Sequence, residues 1–140
     1  METLGVAASV IAAIDISARV ISLCSQYFNE VQDARGDIER LRAKVNSINV
    51  ALENAQQFLD ALEGNRLPAH RMLYQPLNDC HAQLRNVQDR LEPGKARRGR
   101  YRLGLRALKW PFKDKEMESV VSALEQCKSN IYNTLLIYET

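Results

Sequence analysis

The apolar residues of this chain fall into seams with helical spacing. Val31, Ala34, Ile38, Leu41, Val45, Ile48, Leu52, Ala55, Leu59 and Leu62 alternate steps of three and four without a miss. That pattern predicts a long helix over 33–63 that packs at a shallow angle against its neighbours. Asp33 or Asp37 is its candidate N-cap, Gly64 its C′ residue, and Pro68 blocks continuation. Leu73, Leu77, Cys80, Leu84, Val87 and Leu91 repeat the pattern over 72–92. Pro76 falls in the first turns of that segment, so the regular helix is expected to begin close to Gln75. Glu92-Pro93-Gly94 ends it. Met117, Val120, Leu124, Cys127, Ile131, Leu135 and Tyr138 make a last seam over 113–138, which starts near Lys113 or Asp114. A shorter element is expected over 102–108, with Leu103, Ala107 and Leu105 turned inward.

The first stretch, 3–28, differs in kind. Val6, Val10, Ile11, Ile14, Ile16, Val20, Ile21 and Leu23 place apolar side chains almost all round a helix. Ala8, Ala12, Asp15, Arg19, Ser22 and Gln26 form the one narrow exception. Asp15 and Arg19 are spaced i, i+4, in the order that favours an ion pair on the helix surface. A helix of this kind is either a central core helix or one that meets lipid. A plain membrane span is disfavoured, since one ionised residue at the bilayer centre costs at least about 2.5 kcal/mol. A signal peptide is disfavoured as well, because Glu2 stands where basic residues belong and Asp15 interrupts the apolar run. Together the elements predict one all-α domain over 1–140: an up-down bundle of four main helices plus a short fifth helix after a basic loop.

Composition adds two points. The chain is 46% hydrophobic and 26% charged, an ordinary globular balance. Its net charge of +2 conceals a segment, 93–115, in which nine Lys or Arg face Asp114 alone, so that this segment is +8 and the remainder −6. Within it, Lys95, Arg97, Arg98, Arg100, Arg102 and Lys109 are the candidate contacts for an anion. Three readings stay open: a solvated loop paired with the acidic remainder, attraction to anionic lipid headgroups, or nucleic acid. The last is disfavoured because only Tyr101 and Trp110 are available to stack bases and no recognition motif is present. Trp110-Pro111-Phe112 reads as an apolar plug for one end of the bundle. Cys24, Cys80 and Cys127, odd in number and widely spaced, read as small buried hydrophobes in a reducing compartment.

The search for reaction chemistry predicts no enzyme, no cofactor and no metal. Neither a G-x-x-x-x-G-K-[ST] loop nor a G-x-G-x-x-G turn occurs. The two histidines are His70 and His81. Cys80 and His81 are adjacent and point about 100° apart on a helix, so they are not a chelating pair.

METLGVAASVIAAIDISARVISLC, DIERLRAKV, LEPGKARR and above all LGLRALKWPFKDKEMESVVSALEQCKSNI resemble the HeLo-like N-terminal domain of fungal STAND (NOD-like) receptors, a group related to SesA and HeLo domains. The resemblance covers essentially all 140 residues. It implies a helical bundle fused in the full receptor to a nucleotide-binding NACHT or NB-ARC module and to ankyrin, WD or TPR repeats. It implies a role in fungal innate immunity and heterokaryon incompatibility, carried out as regulated cell death. The architecture is also similar to the four-helix executioner domain of the mixed-lineage kinase domain-like pseudokinase. By this resemblance the first helix targets membranes after self-oligomerisation, a role that falls on Gly5, Val6, Val10, Ile11, Ile14 and Ile21; Asp15 and Arg19 depart from a clean apolar segment. The implied partners are further copies of the chain, the nucleotide-binding and repeat domains of the parent receptor, and anionic membrane lipids. The implied location is the cytoplasm, with the plasma membrane reached on activation. The alternative is a protein-interaction adaptor or autoregulatory bundle without membrane activity.

Overall fold

A computed structural model describes residues 2–61, 67–92 and 109–139 of the chain. Four helices account for nearly all of them: α1 (Glu2–Glu30), α2 (Arg35–Ala61), α3 (Leu67–Leu91) and α4 (Asp114–Glu139). The expected short helix over 102–108, and Gly64 as a C′ residue, lie outside the described residues.

The predicted seams are the buried faces. Ile38, Leu41, Val45, Ile48, Leu52 and Ala55 of α2 are buried, as are Leu73, Leu77, Cys80, Leu84, Val87 and Leu91 of α3. Met117, Leu124, Cys127, Ile131 and Leu135 of α4 join them, and all belong to one continuous core. α1 adds Val6, Val10, Ala13, Val20, Leu23, Cys24 and Tyr27.

Side-chain pairs fix the direction of each helix. Ser25 accepts from Arg42 at 3.3 Å and Ser17 lies 2.8 Å from Asn49, so α1 and α2 are antiparallel. Ser9 donates to Asn78 at 3.3 Å and Arg19 pairs with Glu92, so α1 and α3 are parallel. Lys44 meets Glu125 and Asn54 meets Tyr132, both at 3.2 Å, making α2 and α4 parallel. Arg90 meets Glu116 at 3.0 Å, making α3 and α4 antiparallel. Successive helices therefore alternate up and down, but they do not follow one another round the square. α1 packs on α2 and α3, and α4 packs on the same two. The successive helices α2 and α3 occupy diagonal corners. α1 is thus a corner helix with two principal neighbours rather than a central one.

Several local expectations change. The Ile38 N–H donates to the Ala34 carbonyl at 2.9 Å, so Ala34 holds the N-cap position of α2 in place of Asp33 or Asp37. Asp37 sits instead in the first turn, where its charge faces the positive end of the helix dipole. α3 starts five residues earlier than expected, at Leu67 rather than 72. Pro68 opens α3, because the first-turn N–H that it lacks has no intrahelical partner anyway. Pro76 is then interior to the helix. It withholds a donor from the carbonyl of Met72, a residue on the exposed side where water can supply one. Arg19 pairs with Glu92, just past the end of α3, rather than with Asp15.

At the start of α4 the cap comes from the Glu116 side chain. The Lys113 N–H donates to Glu116 Oε1 at 3.0 Å, while the Met117 N–H donates to the Lys113 carbonyl at 2.8 Å. This is the N3-to-N-cap half of a capping box. That backbone hydrogen bond, helped by Arg90, holds the Glu116 carboxyl below its ordinary value. Arg40 does the same for Glu118, and Lys128 and Lys44 for Glu125. Carboxyls depressed in the fold contribute fully above their unfolded pKa and lose that contribution as pH falls through the folded value. Denaturant midpoints should accordingly be level near neutrality and fall between about pH 5 and pH 3. E116Q should show a smaller fall than the unsubstituted chain, as read by circular dichroism across that range.

Candidate functional site

α1 carries most of the residues singled out from the sequence. Val6 and Val10 point straight into the core with no exposed surface. Gly5, Ile14 and Ile21 are half-buried, the two isoleucines against the core. Ile11 faces outward and is 50% exposed. It heads a stripe with Ala8, Asp15, Ala18, Arg19, Ser22 and Gln26, all exposed. The stripe follows the helical repeat, so it forms one continuous outer face.

A corner helix that packs on two neighbours needs only a seam of apolar residues. α1 exceeds that requirement. From Gly5 to Glu30 it is long and apolar enough to cross a membrane by length and composition, although much of its apolar surface is spent inside the bundle. No other helix among the described residues meets that standard. The surplus lies in Ile11, in the alanines of the outer face, and in the flanks of Ile14, Ile16 and Ile21.

The docking of α1 is nevertheless firm. Fully burying Val6, Val10, Val20, Leu23 and Tyr27 is worth on the order of 10 kcal/mol by transfer energies. Ser17 is buried with them: it has no exposed surface, and its Oγ lies 2.8 Å from Asn49 Oδ1 and 2.8 Å from the Ile14 carbonyl oxygen.

The end of the bundle where α1 finishes, here the distal end, is closed by aromatic rings. Tyr27 donates from its hydroxyl to the Leu91 carbonyl at 2.8 Å, tying the last turns of α1 and α3 together. The Trp110 ring lies edge-on to Tyr27 and to Phe112, with centroids 5.3 Å apart in each case. Phe112 is buried in the core, and the Arg90 guanidinium lies 4.7 Å from its centroid. Arg90 also donates to the Pro111 carbonyl at 2.7 Å. Trp110 is half-buried, and its Nε1 has no hydrogen-bond partner among the described residues. Tyr27 and Arg90 were not singled out from the sequence. Tyr27 could have been, because it extends the Val20, Leu23, Cys24 seam by one further step.

Lys109, Lys113 and Lys115 are exposed at this same distal end. Lys95, Arg97, Arg98, Arg100 and Arg102 lie outside the described residues. The opposite, proximal end gathers exposed apolar side chains instead. Met72 and Tyr74 stand in the first turns of α3, and Leu136 and Ile137, 58% and 60% exposed, in the last turns of α4. These residues fall off the seams, which is the one sequence signal that marks them.

Cys24 is buried on the inner face of α1, and desolvation pushes its thiol up to about 12, so it is inert at neutral pH. Among the described residues no group of three or more His, Cys, Asp or Glu is placed to hold a metal ion. No protein-family model, curated protein or solved structure matches the chain.

Trp110→Ala should destabilise the bundle by roughly 3 kcal/mol, the lower end for a large aromatic because the ring is half-buried. Tyr27→Phe should cost about 1–2 kcal/mol by leaving the buried Leu91 carbonyl unpaired. Urea denaturation followed by circular dichroism checks both values, and Trp110 fluorescence reports the same transition for Tyr27→Phe.

Proposed function

We propose that this chain is a HeLo-like effector domain of a fungal NOD-like receptor. It executes or transmits regulated cell death by self-assembly and by membrane contact through α1. The observation that carries the reading is the surplus apolarity of α1, a corner helix whose length and hydropathy suit a bilayer. The sequence resemblance over 1–140 and the four-helix bundle are consistent with it.

The energetics set a condition. Releasing α1 forfeits on the order of 10 kcal/mol of burial, comparable with the whole stability of an ordinary domain. Asp15 and Arg19 each add a few kcal/mol if they are carried to the bilayer centre. A lone copy therefore keeps α1 docked, and exchange of the intramolecular contacts for contacts between copies must offset the opening. The geometry suits a hinge at 31–34. That connection lies at the distal end, the end that carries Lys109, Lys113 and Lys115. A helix of 29 residues swinging about it would reach some ~43 Å from a basic foot suited to anionic headgroups.

A second reading has its own support. The firm docking of α1, with Tyr27 anchored on Leu91 and Ser17 on Asn49, favours an adaptor that never opens and uses its outer faces to bind a partner.

Artificially clustered and monomeric protein should be compared for leakage and sedimentation with phosphatidylserine vesicles. Clustering should raise both, and increasing salt should weaken the binding. Ile11→Glu, on the outer face and so compatible with folding, should reduce leakage several-fold with the circular dichroism spectrum unchanged. Clustered protein that leaves such vesicles intact and unbound would overturn the membrane reading in favour of the adaptor.

A further inference from the structure

Cys80 on α3 and Cys127 on α4 both sit on the apolar seams of their helices. The two helices are antiparallel, and the Arg90–Glu116 pair fixes their register. Ten residues back along α3 from Arg90 is Cys80, and eleven residues forward along α4 from Glu116 is Cys127. The two side chains thus stand at the same height on facing seams. Each thiol perturbs the other, Cys80 being held above its ordinary value by Cys127 and Cys127 lowered by Cys80, as adjacent thiols do, and both are reduced. Cys24 lies elsewhere in the core, on α1.

We propose that Cys80 and Cys127 are a redox pair that a hydroperoxide converts to a reversible disulfide, stapling α3 to α4. The proposal does not depend on the effector reading above. Cys127 reacts first. It is 6% exposed where Cys80 has no exposed surface, and the neighbouring Cys80 thiol favours its thiolate. The Cys127 sulfur attacks the hydroperoxide and the O–O bond breaks. The leaving oxygen takes up a proton as water or alcohol, and Cys127 becomes a sulfenic acid, oxidised by two electrons. The Cys80 sulfur then attacks Cys127 Sγ, the S–O bond breaks, and hydroxide departs as water with the proton that Cys80 gives up. The balance is two thiols and one hydroperoxide converted to one disulfide, one water and one water or alcohol.

The staple has a selective effect. It joins α3 to α4, whereas α1 packs on α2 and α3. Oxidation therefore locks one seam of the bundle and leaves the α1 seams without a covalent link.

The test is peroxide titration of the unsubstituted chain, followed by thiol alkylation, tryptic mapping and intact mass. The expected result is a monomer lighter by two hydrogens. The peptides ending at Arg85 and Lys128 should be crosslinked and Cys24 still alkylated. The thermal midpoint should rise by several degrees and return on treatment with dithiothreitol. C80S and C127S should each abolish the crosslink, and C24S should retain it. Three alkylated thiols after excess peroxide, a crosslink through Cys24, or disulfides formed only between chains would each overturn the proposal.

Discussion

The diagonal placement of α2 and α3 is the constraint on which the rest of the bundle depends. Because these two do not form a principal interface, each is held through the pair of helices that flank both of them, α1 on one side and α4 on the other. α1 is one of two struts, and its seam of Val6, Val10, Val20 and Leu23 has to serve two partners at once. That double duty accounts for its buried seam, though not for the apolar residues on its outer face, and it draws Ser17 and Tyr27 in to meet acceptors on α2 and α3. Without α1, α2 and α3 would be joined by α4 alone, and an apolar trough would face water.

The sequence made the faces legible but not the neighbours. Steps of three and four identified Ile38, Leu41, Val45 and Ile48 as core, and Leu77, Cys80 and Leu84 likewise, because burial follows directly from helical periodicity. Nothing in a seam says which of three other seams it meets, so the diagonal placement of α2 and α3 became visible only in the fold. Arg19 shows the same limit for charges. A carboxylate at i−4 is the partner that local spacing offers, while Glu92 comes within reach only when α1 and α3 lie parallel. The early start of α3 was concealed by Pro68, a residue that stops one helix and can equally open the next.

For the candidate site, the sequence pointed to α1 as a whole and mixed its inner and outer residues. Val6 and Val10 hold the fold together, and Ile11, one position on, faces water. Substitutions that probe contact with a membrane or a partner belong at Ile11, since a charge placed at Val10 would report on stability instead. The aromatic corner of Tyr27, Trp110 and Phe112 was legible in part: the WPF motif marked two of its rings, and the third came from α1, far away in the chain.

The parallel pairing of α1 with α3, and of α2 with α4, shapes the electric field at each end. In a bundle whose successive helices are neighbours all the way round, amino and carboxyl termini alternate corner by corner and their partial charges cancel locally. Here the carboxyl ends of α1 and α3 share one half of the distal end, and the amino ends of α2 and α4 share the other. Asp37, Asp114 and Glu116 occupy the electropositive half and Arg90 the electronegative one, so the ion pair from Arg90 to Glu116 spans the divide. The molecule carries two transverse dipoles of opposite sense, one at each end, and a charged surface approaching either end would tilt it toward the half of opposite sign.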